Sequence, residues 1–257
     1  LIVVCIISVL IVIKLLIKKL KISTKMAYLI SIGSTVCGTT AIMATAPVIK
    51  ASKGEVAYAI ANMTIFGIIS MLVYPYFANI YFDGEPLFVG LFLGTAIHET
   101  SQVAAAGLIY DQQYNSPETL NIATVTKLIR NTFLVIMIPL FAFLYNRGKT
   151  KNKSYSLLDI FPYFVLGFIG MIIFRNIGDQ IFLTENVQQF WQGSISNIKD
   201  SAKIFLSMAM AAVGLSTNLK DLRSMGYKPF IVGFVAMITV GLVSILTMES
   251  FAKFFFY

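Results

Sequence analysis

The chain has 257 residues, 57% of them hydrophobic and only 12% charged, with a mean hydropathy of +0.80. Soluble domains carry roughly 25% charged residues, so this composition cannot dress a water-exposed surface and excludes an ordinary soluble protein. The net charge of +8 sits in short basic clusters between apolar runs, with no Arg-rich arm and no aromatic–basic interleaving. It therefore excludes a nucleic-acid partner and reads as the positive-inside bias of cytoplasmic loops.

A bilayer core about 30 Å thick needs ~20 apolar helical residues to cross it. Eight segments reach that length, at roughly 1–20, 27–49, 56–82, 87–110, 119–146, 156–178, 201–219 and 226–248. The chain opens on Leu1-Ile2-Val3-Val4, already inside an apolar run, and upstream helices are expected to be missing from it. The first connection holds Lys14, Lys18, Lys19, Lys21 and Lys25. The fifth holds Arg147, Lys149, Lys151 and Lys153, and the seventh holds Lys220, Arg223 and Lys228. All three are odd-numbered, so one orientation places 14–25, 147–153 and 220–228 in the cytoplasm, with the chain a multi-pass protein of the inner (plasma) membrane. The third connection, with Asp83 and Glu85, is acidic and conflicts mildly, although acidic residues count little here.

Two segments are poor simple helices. The second carries Gly33-Ser34-Thr35-Val36-Cys37-Gly38-Thr39-Thr40-Ala41 and then Pro47; the seventh carries Gly214-Leu215-Ser216-Thr217-Asn218. Glycine weakens a helix by about 1 kcal/mol relative to alanine, and an unwound stretch at membrane depth must face protein or water rather than lipid. Close helix packing through small residues is the alternative reading. Each of these segments lies between two uninterrupted ones, and a two-segment hairpin separates the triplets. The layout predicts an all-α inverted-repeat transporter with two crossed discontinuous helices. Residues 1–82 would be core helices of the first repeat, 83–154 a panel hairpin and 155–257 core helices of the second repeat. Gly38, Pro47 and Gly214 are the expected hinge points.

The fourth segment contains Thr95, His98, Glu99 and Gln102, which share one face at helical spacing. His98 lies ~16 Å into the segment at 1.5 Å per residue, and an ionisable pair at that depth marks a functional site or a polar clamp between helices. Lys127 and Arg130, with Asn131 beside them, lie about as far from the turn near Asn115 as His98 does, so an antiparallel hairpin puts them at similar depth. Arg130 offers a planar fork suited to an oxyanion, or a partner for Glu99. Arg175, Asp179 and Glu185 read as interfacial, Trp191 as an aromatic-belt anchor, and Met208 and Met210 as packing. His98 is the single histidine, and Cys5 and Cys37 lie in apolar runs, which excludes a disulfide scaffold and a multi-histidine or cysteine-rich metal site. Gln102 stands where a zinc protease would need its second histidine, and no phosphate-binding Gly-x-x-x-x-Gly-Lys loop occurs. No enzyme activity, metal or cofactor is expected.

Four ordered stretches resemble the YeiH family of sulfate exporters: Cys37-Gly38-Thr39-Thr40-Ala41-Ile42 with Ala46-Pro47-Val48-Ile49; Ile97-His98-Glu99-Thr100-Ser101-Gln102-Val103; Val125-Thr126-Lys127-Leu128-Ile129-Arg130; and Ala209-Met210-Ala211-Ala212-Val213-Gly214-Leu215-Ser216-Thr217-Asn218-Leu219. The likeness runs from about residue 25 to 245, with Glu99 and Asn218 each standing where that family has aspartate. Its hydropathy plan is similar to the bile-acid symporter and sodium/proton antiporter superfamily, which implies a core domain moving against a panel domain. Together, residues and resemblance lead to the expectation of a secondary transporter, an exporter of a small anion such as sulfate, working by alternating access in a lipid bilayer. Thr39, Thr40, His98, Glu99, Gln102, Lys127, Arg130, Ser216 and Thr217 would bind the anion. Coupling to protons would use His98 and Glu99; coupling to Na+ would use unwound carbonyls and Asn218. A homodimer is compatible with this reading. An anion channel, or a structural or regulatory membrane subunit, is the competing one.

Overall fold

The computed structural model describes residues 1–146, 164–182, 185–215 and 226–256, and among these every regular element is an α-helix. In chain order they are α1 (Ile2–Leu20), α2 (Thr24–Thr35), α3 (Thr39–Thr45), α4 (Lys53–Tyr81), α5 (Pro86–Ala96), α6 (Thr100–Tyr114), α7 (Pro117–Thr132), α8 (Leu134–Asn146), α9 (Phe164–Ile181), α10 (Glu185–Leu215) and α11 (Lys228–Phe256). Three stretches, Lys53–Tyr81, Pro117–Tyr145 and Lys228–Ser250, are long and apolar enough to cross a membrane, and Ile2–Ile17 and Pro86–Ala96 are shorter apolar helices.

Local chemistry sets most of the helix ends. Lys21 takes a left-handed conformation (φ 53°) and stops α1. Ser23 caps α2 by accepting from Met26 N–H. Ser52 and Glu55 form a reciprocal capping box at the start of α4, and Ser23 Oγ also donates to Glu55 at 2.9 Å, so the starts of α2 and α4 are tied together. Proline opens both α5 and α7, where its missing N–H costs nothing. α8 continues α7 after one tight turn at Phe133, whose N–H reaches the Arg130 carbonyl at 3.2 Å.

The main core joins Val9 and Ile13 of α1, Leu29 and Ile30 of α2, Met63 of α4, Phe92 and Leu93 of α5, and Val232 and Val240 of α11. Outward faces of α4 carry Ile65, Ile68, Ile69, Leu72 and Ile80 exposed, an apolar surface suited to lipid rather than water. α5 and α7 approach at backbone distance. A Cβ on Gly94 would stand 2.6 Å from the Ala123 carbonyl oxygen, and one on Gly90 would stand 2.7 Å from Ile122 Cβ.

The structure agrees with the sequence at the second segment, which breaks between Thr35 and Thr39. It corrects the sequence at the fourth. Expected as one helix, that segment is two, α5 and α6, parted at Ile97-His98-Glu99. Thr95, His98, Glu99 and Gln102 therefore do not share one continuous helical face. No glycine or proline marks this break; its cause lies on α7, as described below. The break of the second segment thus meets a break in the fourth, so the hairpin expected to face the crossing supplies part of it. α10 runs unbroken through Gly214 to Leu215; Ser216, Thr217, Asn218, Lys220 and Arg223 lie outside the described residues, as do Arg147, Lys149, Lys151 and Lys153. The stretch 185–200, expected as a connection, is the first half of α10. A polar helix carries no apolar run for a span-length rule to find. Arg175 and Asp179 form an exposed i,i+4 ion pair at 2.7 Å, and Trp191 Nε1 donates to Asp179 at 2.8 Å.

Gly94→Ala should force α5 from α7 and lower the thermal midpoint of the purified protein, at the ~1–3 kcal/mol typical of overpacking. Gly193→Ala, with nothing within 4 Å of its added Cβ, is the control and should not lower it. Equal midpoints for the two variants would contradict the close approach.

Candidate site at the crossing of two broken helices

A helix leaves its last carbonyls without intrahelical partners. Breaking α2 from α3 and α5 from α6 creates two such ends inside the protein, where an unpaired carbonyl costs about 1–3 kcal/mol. Two side chains of α7, one turn apart, satisfy both ends. Arg130 Nη2 donates to Ser34 O at 2.6 Å and Nε to Thr35 O at 3.0 Å, both on α2, while Nη1 donates to Thr95 O on α5. Lys127 Nζ donates to Val36 O at 2.9 Å, to Ile97 O at 3.0 Å and to His98 O. Six carbonyls from two chain segments thus converge on two cations. Lys127 is 0% exposed and Arg130 1%. Placing cations at helix C-terminal ends also opposes the negative end of each macrodipole. The three carbonyls around Nζ match in number the three N–H donors of an ammonium.

The opposite polarity appears at the other side of each break. Glu99 caps α6 from outside, and its Oε1 accepts from Thr39 N–H at 3.2 Å and from the Thr39 hydroxyl. Gly38 makes room for it. Its φ is +56°, and a Cβ there would lie 2.7 Å from Glu99 Cγ, so both backbone shape and space require glycine. The carboxylate therefore ties the start of α3 to the start of α6, as Lys127 and Arg130 tie the ends of α2 and α5.

His98 stands at the break itself. It is 1% exposed, and neither ring nitrogen has a hydrogen-bond partner among the described residues. Gln102 lies one turn into α6, buried against Gly67 of α4; its Nε2 donates to Thr64 O at 3.4 Å and its Oε1 is unpartnered. Asn131 Nδ2 donates to Thr100 Oγ1 at 3.0 Å, leaving Oδ1 without a partner.

The structure thus gathers Thr39, His98, Glu99, Gln102, Lys127 and Arg130 around one crossing. Thr40 and Pro47 are exposed on and just after α3; Ser216, Thr217 and Asn218 fall outside the described residues. Depth matching across the hairpin is correct, with Lys127 level with Ile97 and His98 and Arg130 level with Thr95. Among the described residues Arg130 makes no ion pair with Glu99; its Nε, Nη1 and Nη2 donate to carbonyls instead. Sequence reasoning missed those carbonyls as partners. The available signal was a pair of buried cations with a single carboxylate nearby, which leaves broken-helix carbonyls as the remaining acceptors. Among the described residues no three His, Cys, Asp or Glu side chains gather to hold a metal.

Residues 1–233 match the family described as conserved hypothetical protein 698, and the chain belongs to that family. It is 38% identical over 237 residues to a UPF0324 membrane protein of Fusobacterium nucleatum, covering 90% of this chain and 68% of that one. Against a UPF0324 membrane protein of Clostridium tetani it is 32% identical over 250 residues, covering 92% and 68%. Against one from Streptococcus agalactiae it is 36% identical over 234 residues, covering 91% and 67%. No solved structure matches the chain. Family and apolar helices together make this a membrane protein.

Arg130→Lys keeps the charge, but replaces three nitrogens spread over a planar fork, each on its own carbonyl of Ser34, Thr35 or Thr95, with a single nitrogen on a shorter side chain. At least one carbonyl is stranded, at about 1–3 kcal/mol, and the thermal midpoint in detergent should fall by several degrees. Arg175→Lys, in an exposed pair worth about 0–1 kcal/mol, should leave it nearly unchanged. A midpoint for Arg130→Lys equal to that of the unaltered protein would refute the clasp.

Proposed function

We propose that this member of the UPF0324 membrane-protein family is a secondary transporter that carries a small anion past the crossing of its two broken helices. The observation that carries this reading is the charge of the crossing. Two buried cations, Lys127 and Arg130, face one carboxylate, Glu99, and the paired helix ends of opposite polarity cancel. The crossing therefore holds a net positive charge in a low-dielectric interior, which is costly unless an anion balances it. Interrupted helices whose freed backbone groups meet at membrane depth are also the usual architecture of ion and substrate sites in secondary transporters.

Alternating access suits the geometry better than an open pore. His98, Lys127 and Arg130 are sealed from solvent, and the six carbonyl contacts bind α2, α5 and α7 into one body that moves as a unit. The resemblance of the Cys37–Ile42, Ile97–Val103 and Val125–Arg130 stretches to the YeiH family supports sulfate as the first anion to try, and export as its direction. In this reading the chain contributes eight membrane segments of an inverted-repeat transporter to the inner membrane. Its Lys-rich connections face the cytoplasm, and it acts as carrier rather than enzyme.

Reconstituted in proteoliposomes preloaded with unlabelled sulfate, the protein should take up radiolabelled sulfate by counterflow, with sodium and pH gradients then imposed one at a time to find the coupling ion. Uptake no faster than in protein-free liposomes, for sulfate and for other small inorganic and organic anions alike, would end the transporter reading.

A further inference from the structure

The coupling can be read from the same crossing, in an inference that rests on anion transport being its function. The three carbonyls around Lys127 Nζ match the three N–H donors of an ammonium, and with the Arg130 guanidinium it is counted as one of two cations. Glu99 accepts two donors from Thr39 through one oxygen and is counted as a carboxylate, the ordinary form of this residue at neutral pH. The elements around the break bring few other ionisable groups. The break between α2 and α3 contributes the Cys37 thiol and α1 the Cys5 thiol, both buried near the two cations; a thiol is neutral as it stands and takes up no further proton. α4, in the stretch around Thr64 and Gly67 that meets Gln102, contributes none, and α11 brings Ser244 to Thr95. The fixed charge of the crossing is then one positive unit.

A monovalent anion would bring that charge to zero. A divalent anion would overshoot and leave one uncompensated negative charge at the membrane centre, which is expensive. One buried ionisable side chain is free to correct the overshoot. His98 is 1% exposed and, among the described residues, both its ring nitrogens lack partners, while its own carbonyl is held against Lys127 Nζ. With the site empty, an imidazolium there would be a third cation beside two others. With a divalent anion present, it completes the balance.

We propose that a divalent oxyanion enters the crossing together with one proton, and that the proton rides on the imidazole of His98. A proton from the water on the open side adds to the lone pair of one ring nitrogen, forming an N–H bond. The imidazolium then presents two N–H donors, one of which meets an anion oxygen. On the other side the anion leaves, the N–H bond breaks, and the proton returns to water. Carrier, anion and proton together cross the membrane uncharged.

His98 is the single histidine of the chain, so protein labelled with isotopic histidine and purified through a histidine-free tag shows the two ring-nitrogen signals of one imidazole by nitrogen NMR. At neutral pH the ring should be neutral without anion and with saturating nitrate, and should become imidazolium with saturating sulfate. In weakly buffered solution, sulfate binding should take up one proton per anion and nitrate binding none. Sulfate affinity should therefore fall about tenfold per pH unit above neutrality, while nitrate affinity stays flat. Sulfate bound beside a neutral ring, a ring already charged in the empty protein, or equal proton uptake with nitrate would each overturn the inference while leaving anion transport standing. Absence of any anion binding by equilibrium dialysis would remove both.

Discussion

Six backbone carbonyls held by one turn of α7 are the constraint on which the rest of the structure depends. A broken helix in a bilayer is tolerated where its freed groups find partners within the protein. Here the partners for both breaks come from Lys127 and Arg130, so the positions of α2, α5 and α7 are fixed together. The glycines of α5 follow from this. Side chains as short as a lysine reach carbonyls on two neighbouring segments only if α7 lies against α5 at backbone distance, and Gly90 and Gly94 permit that approach. The tertiary contact sets the local conformation of Ile97-His98-Glu99, not the reverse.

The two ends of the crossing are complementary in sign. Cations hold the carbonyl ends of α2 and α5, and the Glu99 carboxylate, at the residue before α6, holds the first amide of α3, so these termini meet the charge they favour. What this arrangement leaves over gives the site its character. Among the described residues Lys127, Arg130 and Glu99 are engaged with backbone or hydroxyl groups, while the His98 ring nitrogens and the Gln102 and Asn131 carbonyl oxygens have no hydrogen-bond partner.

Much of this frame was legible in the sequence, and the failures have a common cause. The break at Gly38 announced itself, because a residue that must take φ +56° against a carboxylate leaves a glycine in an apolar run. Long apolar helices and the burial of His98, Glu99, Lys127 and Arg130 were legible for similar reasons, since burial of an ionisable group is visible in its neighbours. The break at His98 was not, because its determinant lies some thirty residues later on α7, and nothing at the break itself disfavours helix. Arg130 was matched to Glu99 because sequence displays charged side chains and hides carbonyls. The first half of α10 was hidden because polar helices have no hydropathy signal.

The clasp also orders events during synthesis. Arg130 and Lys127 follow their α2 partners in the chain by 91 to 96 residues. At about 5–20 residues per second, the end of α2 leaves the ribosome roughly five to twenty seconds before the side chains that complete it. Over that interval Ser34, Thr35 and Val36 present open carbonyls that lipid cannot satisfy, so α2 and α3 must wait in the insertion machinery or at the wet interface. α7 itself bears two charges that lipid rejects, and its passage into the bilayer is favourable only against those waiting carbonyls. The two segments are each other's condition for insertion, and they enter the membrane core as a pair.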